Sequence, residues 1–484
     1  MMADIKTLWA EAKLEDLCSI TTGDKDVNEG AEKGAFPFFT CAQKISRSNT
    51  YSFDGDALLI AGNGNFNVKK YSGKFEAYQR TYVLSDFKIS FEYLFYFIYS
   101  NLNKITEDHR GSTIRYIRIG DLTNYLIPFP SVLEQRRIVI KIEELLSELD
   151  NGVENLRTAQ QQLKVYRQAL LKHAFEGKLT ADWRAQNPDK LESAEALLAR
   201  IQQEREARYQ QQLRDWEANG KIGSIPKAPK SLPPLTPEES EGLPELPMGW
   251  AWTRLGNTNC DVSDGPFGSN LKGSDYVASG VRVIRLENIG ELVFFEDKKS
   301  FISEEKYETI SKHTVRHGDI IFSSFITEAI RTTLLPKSID RAVNKADCFC
   351  VRIYGDSLSN KYAVKFLSTR NVFKQLESLI HGVGRPRINT SQLKDLFIPV
   401  CGDQEQHMVI SEVELQLSEL DHLEQTITHS LQQAETLRQS TLKKAFSGQL
   451  VPQDPNDEPA SVLLERIRAE RAAQPKARGR KAKA

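Results

Sequence analysis

The sequence lacks the features that mark membrane, secreted or metal-binding proteins. No apolar run in its 484 residues approaches the about 18 residues that cross a bilayer. The start, Met1 to Lys6, has no apolar core or cleavage pattern of a signal peptide, so we expect a cytoplasmic protein. The six cysteines are scattered, with no CxxC pair and no histidine at metal-ligand spacing. We therefore expect reduced structural thiols, with neither zinc nor disulfides.

Motifs that carry catalysis are also missing. The segment Asp264–Ser274 contains glycines but lacks the Gly-Lys-Ser/Thr end of a phosphate-binding loop. There is no convincing dinucleotide-binding glycine fingerprint after a strand, no HExxH, and no Asp/Asn-Pro-Pro-Tyr/Phe tetrapeptide of a methyltransferase that acts on base amino groups. The eight histidines are dispersed, which favours structural or exposed positions. The sequence thus predicts a non-catalytic partner in a larger system.

Charge is balanced overall but unevenly distributed. The net charge of −1 argues neither for nor against nucleic acid. Basic residues outnumber acidic ones between Gly62 and Gly120, and again between Lys312 and Phe397. Two basic segments would suit two contacts with a polyanion, although a solvated surface explains the charge equally well.

An internal repeat is the most informative feature that is present. Residues 111–180 align without a gap with residues 382–451, and roughly a third of the positions are identical. Both copies end at a glycine, Gly177 or Gly448, as helix stop signals predict. The repeat therefore favours two copies of one element over two unrelated helices of a single core.

Each copy is predicted to be a long helix with a coiled-coil face. The first seam consists of Ile142, Leu145, Leu149, Leu156, Ala159, Leu163, Tyr166 and Leu170, with Gly152 out of character. The second consists of Val413, Leu417, Leu420, Ile427, Leu431 and Ala434, flanked by Leu423 and Leu437. Some 43 helical residues would extend ~65 Å. Because one such helix cannot bury its stripe alone, we expect the two to pack as a two-helix rod.

The rest of the chain divides into an α+β pattern that occurs twice. We predict a first globular domain at 1–130, the first long helix with a second helix at 131–219, and a Pro-rich linker at 220–245. A second domain follows at 246–400, then the other long helix with a short one at 401–473 and a basic tail at 474–484. Predicted strands are Phe36–Phe39, Asp56–Ile60, Arg80–Leu84, Val281–Leu286 and Gly318–Phe322, and Phe91–Leu102 is predicted to be a buried helix.

Several of these segments resemble the conserved regions of type I restriction–modification specificity subunits. They are Ile127–Ile138, Leu171–Ala181, Gly249-Trp250, Gly265–Leu271 with Val283-Ile-Arg285, and Leu463–Ala472. The resemblance covers essentially the whole chain. One departure is the start, where the family's Leu-Pro-x-Gly-Trp opening is degenerate at Trp9.

The resemblance implies two α/β target-recognition domains in inverted orientation, joined by an antiparallel coiled coil of two long helices. Each domain would read one half of a bipartite site in double-stranded DNA. The helices would set the spacing and dock two modification subunits, which carry S-adenosylmethionine. Two restriction subunits, which use ATP and Mg, would complete the complex, and this chain itself would hold no cofactor.

Candidate site residues follow from residue type and loop position. In the first domain we expect DNA contacts from Asn63, Asn65, Lys69, Lys70, Gln79, Arg80, Arg115 and Arg118. In the second we expect them from Asn270, Lys272, Ser324, Thr327, Arg331, Lys345, Arg385 and Arg387. Subunit docking is expected from Glu134, Gln135, Arg136, Glu405 and Gln406.

Two other functions stay open at this point. A coiled-coil scaffold whose globular ends bind proteins would share the repeat but would not bind DNA in a salt-dependent way. A nuclease or methyltransferase in its own right would show activity as a purified chain.

Overall fold

The computed structural model describes residues 8–327, 329–380 and 386–473. The first 130 residues contain strands β1 (Ala10–Lys13), β2 (Ser19–Thr22), β3 (Phe36–Phe39), β4 (Ser46–Ser48), β5 (Phe53–Ala61), β6 (Val68–Ala77), β7 (Thr81–Ser85) and β8 (Leu126–Phe129). Helices up to residue 218 are α1 (Leu14–Leu17), α2 (Phe91–Ile105), α3 (Ile119–Thr123), the long α4 (Val132–Phe175), α5 (Ala181–Gln186) and α6 (Ala194–Ala218).

The remaining elements repeat this order with additions. The strands are β9 (Ala251–Arg254), β10 (Cys260–Ser263), β11 (Tyr276–Val277), β12 (Val281–Ile284), β13 (Phe301–Ile302), β14 (Thr314–Val315), β15 (Ile320–Ser323), β16 (Thr332–Leu334), β17 (Ala342–Asn344), β18 (Cys348–Ile353) and β19 (Phe397–Val400). The helices are α7 (Pro237–Glu241), α8 (Glu304–Ile310), α9 (Asn360–Leu367), α10 (Arg370–Glu377), α11 (Thr390–Asp395), the long α12 (Asp403–Phe446) and α13 (Ala460–Ala473).

The chain forms two compact units that cut across this order. Unit 1 consists of residues 1–158 and 427–484, and unit 2 of residues 159–426. The two cuts fall inside α4 and α12, so each unit contains one globular domain and a part of both long helices. A compact unit here is therefore not a continuous stretch of sequence, unlike the linear segments expected from composition.

Unit 1 is built on a six-stranded sheet with the order β2-β7-β5-β6-β3-β4. All neighbouring strands are antiparallel except β3 and β6, which are parallel. Strand β6 is the longest, yet its sequence did not predict it, because Val68–Ala77 carries lysines and a glycine where an apolar alternation would be expected. Helix α2 packs on the sheet through Tyr93, Leu94, Phe97 and Ile98, as the aromatic pattern predicted.

The long helices complete the core of unit 1. Ile138 and Ile142 of α4 join Leu442 and Ala445 of α12 and Ile467 of α13 in one apolar cluster. Helix α13 is also tied to the domain by ion pairs between Lys88 and Glu470 at 3.1 Å and between Arg471 and Asp16. The C-terminal helix thus folds onto the N-terminal domain.

Unit 2 repeats this plan with different sheets. It has a four-stranded sheet, β10-β18-β15-β16, and a five-stranded sheet, β11-β13-β12-β17-β14. Its apolar core joins Leu171 and Phe175 of α4, Val409 and Val413 of α12, and Ile201 of α6. In both units, a domain therefore packs on the start of the helix that follows it and on the end of the other long helix.

The coiled-coil seam is only partly where the heptad pattern placed it. Most predicted seam residues are buried or half-buried, but Tyr166 is 55% exposed. The flanking residues Leu423 and Leu437 are also exposed, to 48% and 56%. The next residue of the pattern, Leu170, is 3% exposed, so the buried stripe is interrupted at Tyr166 and resumes one turn later. Tyr166 was therefore wrongly assigned to the seam.

The helix segments run antiparallel in each unit and are joined by ion pairs. Asp150 pairs with Arg438 in unit 1, and Arg167 pairs with Asp421 in unit 2. These two pairs are equivalent under the repeat. The same interaction is therefore used in both units.

A buried glutamine joins the first domain to α4. Gln135 is fully buried; its side-chain oxygen accepts a hydrogen bond from the Ser90 amide at 2.8 Å, and its Nε2 donates to the Pro130 carbonyl at 3.0 Å. Beside it, Glu134 accepts a hydrogen bond from the Trp9 indole at 3.1 Å. Ser90 caps α2, so this joint aligns α2 with the long helix.

The equivalent joint in unit 2 uses Gln406. Its side-chain oxygen accepts a hydrogen bond from the Ser359 amide at 2.9 Å, and Nε2 donates to the carbonyls of Ser357 at 2.9 Å and Cys401 at 2.8 Å. Ser359 precedes α9, as Ser90 precedes α2. Two of these bonds match those of Gln135, and the bond to the Ser357 carbonyl is additional.

These joints correct the expected docking set. Glu134, Gln135, Glu405 and Gln406 are at most 3% exposed, and hydrogen bonds inside the chain occupy them. Only Arg136 of that set is exposed. The Glu-Gln signature at the helix entrance therefore serves this chain's own fold and does not form a docking surface.

Replacing Gln406 by alanine should destabilise unit 2. The Gln406→Ala side chain would leave one buried amide and two buried carbonyls unpaired, a cost of about 2–4 kcal/mol. Urea unfolding followed by tryptophan fluorescence would measure the apparent free energy of unfolding. Gln425→Ala, at an exposed position of the same helix, is the matched control. Equal stability of the two variants would contradict the joint.

Candidate nucleic-acid interface

In unit 1, the loop that follows β5 is clipped to the segment that precedes α3. The Gly64 amide donates to the Arg115 carbonyl at 2.8 Å, and the Ile117 amide donates to the Gly62 carbonyl at 3.0 Å. These two bonds bracket Asn63 and Tyr116, which form an isolated antiparallel bridge. We call this arrangement the first clip.

Unit 2 has the same arrangement after β15. The Ile388 amide donates to the Ser324 carbonyl at 3.0 Å, and the Ile326 amide donates to the Pro386 carbonyl at 3.2 Å. The bracketed pair is Phe325 and Arg387. This second clip has the backbone pattern of the first but entirely different side chains.

Four of the expected first-domain residues come together around the first clip. Asn63 and Asn65 lie on its loop, Arg115 lies on its other segment, and the Arg80 carbonyl accepts the Gly62 amide at 2.8 Å. A Cβ on Gly62 would lie 2.5 Å from that carbonyl oxygen, so only glycine allows this approach. Arg80, Asn65 and Arg115 are exposed.

Other first-domain residues lie elsewhere. Lys69 donates to the Ala42 carbonyl at 2.8 Å, and burial lowers the pKa of its ammonium group. Lys70, next along the strand, points to the opposite face and pairs with Glu143 at 3.5 Å. Lys70 therefore lies on the α4 side of the domain and not at the clip, and a DNA contact from this exposed residue stays a prediction.

The last two candidates of this domain are near the clip but differently engaged. Gln79 is exposed beside Arg80, and its amide hydrogen-bonds to Asp26 at 3.4 Å. Arg118 is exposed at the start of α3, where its backbone amide donates to Asp121 at 2.7 Å. Both remain predictions.

In the second domain, four of the candidates are exposed and one is half-buried. Arg387 and Thr327 are exposed at the second clip, and Asn270 and Lys272 are exposed on either side of the buried Leu271. Lys345 is half-buried.

Two second-domain candidates are engaged inside the protein. Ser324 is 3% exposed, so its hydroxyl cannot reach DNA without movement of the clip, which corrects the prediction for this residue. Arg331 is partly buried and donates to the Ser323 hydroxyl at 3.3 Å and to the Leu286 carbonyl at 3.4 Å. Arg385 and the basic tail from residue 474 lie outside the described residues.

Sequence reasoning missed two groups of residues near the clips. Gln43 and Lys44 are exposed on the loop that Lys69 holds through the Ala42 carbonyl. Asp347 lies beside the second clip, where its carbonyl accepts the Ser324 amide at 2.9 Å. No local signal could have found them, because only the tertiary fold brings these loops to the clips.

Comparison with known proteins identifies the family. The model of the type I restriction modification DNA specificity domain matches residues 6–164. The type I restriction enzyme EcoDI specificity subunit of Escherichia coli is 31% identical over 476 residues, which cover 96% of each chain. The chain belongs to the type I restriction enzyme specificity subunits.

Further comparisons agree with this assignment. The EcoBI specificity subunit of Escherichia coli is 23% identical over 498 residues, covering 98% of this chain and 94% of the relative. A solved chain from a study of complex assembly in a type I R-M system covers 93% of this specificity subunit with a TM-score of 0.61 at 17% identity. The expected fold of two mixed domains joined by two long helices is confirmed. None of the helices in the described part of the chain combines the length and apolar content that a bilayer crossing requires.

In this specificity subunit, Asp121 accepts hydrogen bonds from both ends of the segment that forms one side of the first clip. Burial by itself would raise the pKa of Asp121, but hydrogen bonds from the Arg110 guanidinium at 2.7 Å and from the Arg118 amide lower it below its ordinary value. A carboxyl group whose pKa is lowered by folding stabilises the folded state at pH values above the pKa that it has in the unfolded chain. That stability is lost as the pH falls through the folded pKa.

Asp121→Ala should loosen the segment that forms one side of the first clip. Hydrogen–deuterium exchange of the Tyr116 and Ile117 amides should be faster than in the wild type, because the anchor of residues 110–121 is lost. Asp108→Ala, at an exposed site in the preceding turn, is the control. Unchanged exchange in the Asp121 variant would show that the clip is held by other contacts.

Proposed function

We propose that this specificity subunit recognises a bipartite site in double-stranded DNA, with one globular domain on each half. The observation that carries this proposal is the pair of clips. A constant backbone frame that presents Asn63 and Tyr116 in one domain and Phe325 and Arg387 in the other suits two readers of different sequence. Specificity changes through loop side chains while the scaffold stays the same.

The exposed residues around the clips suit both kinds of DNA contact. Arg80 and Lys44 are exposed cations near the first clip, and such groups position a protein on phosphates without reading sequence. The exposed Asn65 and Arg387 and the half-buried Asn63 carry the amide and guanidinium groups that read base edges in the major groove. This division of roles supports sequence-specific binding over a purely electrostatic contact.

The long helices are proposed to set the spacing between half-sites. Each has 44 residues, equivalent to ~66 Å of α-helix, and each contributes residues to both units. One turn of duplex is about 34–36 Å, so this length corresponds to roughly two turns. A change in helix length should therefore change the spacer and not the bases recognised.

Chemistry is proposed to come from other subunits. Two modification subunits would bind S-adenosylmethionine and methylate adenine, and two restriction subunits would use ATP and Mg. The absence of catalytic motifs from the sequence supports a non-catalytic role for this chain. The competing scaffold function predicts no salt-dependent affinity for DNA, whereas phosphate contacts predict affinity that falls steeply with salt.

A domain exchange tests the proposal. Residues 8–130 would be replaced by the corresponding domain of a relative with a different target, and the methylated motif would be read by sequencing host DNA. We expect one half of the motif to change and the spacer and other half to stay, because unit 2 keeps its own domain. A change in both halves, or in neither, would contradict two independent readers.

Two identical modification subunits require two equivalent surfaces. The docking residues should therefore occupy equivalent positions in the two copies of the repeat. Tyr166 and Leu437 are equivalent under the repeat, and they are exposed to 55% and 56%. Single exposed apolar side chains are common on protein surfaces, so the equivalence of these two positions under the repeat, and not their exposure alone, supports a shared contact. We therefore propose that Tyr166 and Leu437 contact one modification subunit each.

Aspartate at these positions should remove the partners one at a time. Tyr166→Asp and Leu437→Asp should each yield complexes with one modification subunit, and the double variant should yield none, since a buried charge disfavours the interface. Native mass spectrometry of co-purified complexes would count the subunits. Leu423→Asp is the control, because Leu423 is similarly exposed but its repeat equivalent is Gly152. Full complexes from the double variant would exclude this surface.

A further inference from the structure

Arg387 of the second clip is held by both an aromatic ring and a carboxylate. Its guanidinium carbon lies 4.6 Å from the centre of the Phe325 ring, and Nη1 lies 3.5 Å from Oδ1 of Asp347. Its side chain nevertheless remains 50% exposed. The guanidinium is held by the ring and by the carboxylate but still faces solvent. It can therefore bind a ligand without changing its position.

The backbone of the clip produces this stacking. Phe325 and Arg387 occupy a non-hydrogen-bonded position of an antiparallel bridge, bracketed by the bonds from Ile388 to Ser324 and from Ile326 to Pro386. Opposed side chains are closest at such positions. The ring and the guanidinium are therefore brought together by the main chain, and the arginine loses little conformational freedom when it binds.

The neighbouring carboxylate decides which part of DNA would be bound. A phosphate at Arg387 would be repelled by Asp347, whose side chain is 30% exposed at the same place. A G·C base pair, by contrast, offers guanine O6 and N7 as acceptors for an arginine and the cytosine amino group as a donor to a carboxylate. The pair of side chains thus complements one base pair in the major groove better than it complements the DNA backbone.

We infer that Arg387 reads the guanine of a G·C pair in the second half-site, with Phe325 and Asp347 as its positioning residues. This inference rests on the proposed function, because it requires that the second domain bind DNA. It goes further by naming one base and the side chains that select it.

The first domain shows why the inference is restricted to the second. At the equivalent bridge, Tyr116 faces Asn63, so neither residue of that bridge carries a guanidinium. The guanidinium carbon of Arg115, one residue earlier, lies 5.8 Å from the centre of the Phe66 ring, and no ion pair joins it to a carboxylate among the described residues. It therefore suits a phosphate as well as a base.

The test uses the specificity subunit co-expressed with its modification subunit. Arg387→Lys keeps the charge but loses the planar two-pronged donor. Sequencing of methylated sites in host DNA should give a motif in which one guanine of the second half-site is no longer required. The first half-site and the spacer should be unchanged. Phe325→Leu should relax the same position to a smaller extent. Arg316→Lys, an exposed substitution before β15 and away from the clip, should leave the motif unchanged.

A competition assay with the purified complex measures the effect on four duplexes that differ only at that base pair. The wild type should prefer the G·C duplex by about 5- to 150-fold, and Arg387→Lys should remove most of that preference. The inference fails if the second half-site contains no G·C pair, if the motif is unchanged, or if affinity falls equally for all four duplexes. If the wild-type complex methylates no bipartite motif, or if the variant alters both halves, the proposed function itself fails.

Discussion

The structure depends on one constraint, which is that a helix of 44 residues with a single apolar stripe cannot bury that stripe alone. The chain meets this constraint with two copies of the same helix, whose segments pack antiparallel in each unit. The Asp150–Arg438 and Arg167–Asp421 ion pairs are the same pair used twice. Exposed ion pairs contribute little stability, so apolar burial holds the segments together and the charges select their register.

The buried glutamines transmit the direction of the helices to the domains. Gln135 and Gln406 hold the starts of α2 and α9 through backbone amides, so these bonds do not depend on the side chains of either domain. The loops can then diverge without loss of the joint. This independence explains how Phe325 and Arg387 can occupy the frame that Asn63 and Tyr116 occupy in the other domain.

Reasoning from the sequence was most accurate where the pattern was long and periodic, and weakest where tertiary contacts decide. The long helices, α2 and α6 were found within a few residues of their bounds, because many turns contribute to each pattern. Strand β6 was missed because its lysines pair across the sheet without an apolar alternation. Lys69 and Lys70 were treated alike, although neighbouring strand residues point to opposite faces.

The amino-acid sequence by itself determined the duplication, the two mixed domains and the family. These properties are carried by repeated positions that can be compared along the chain, and by the periodic apolar stripe of each long helix. Only the tertiary structure decided that the Glu-Gln signature is an internal joint, that α13 folds onto the first domain, and that Asp347 lies beside Arg387. Those outcomes depend on contacts between residues far apart in the chain, and no local pattern records which distant loop will meet which.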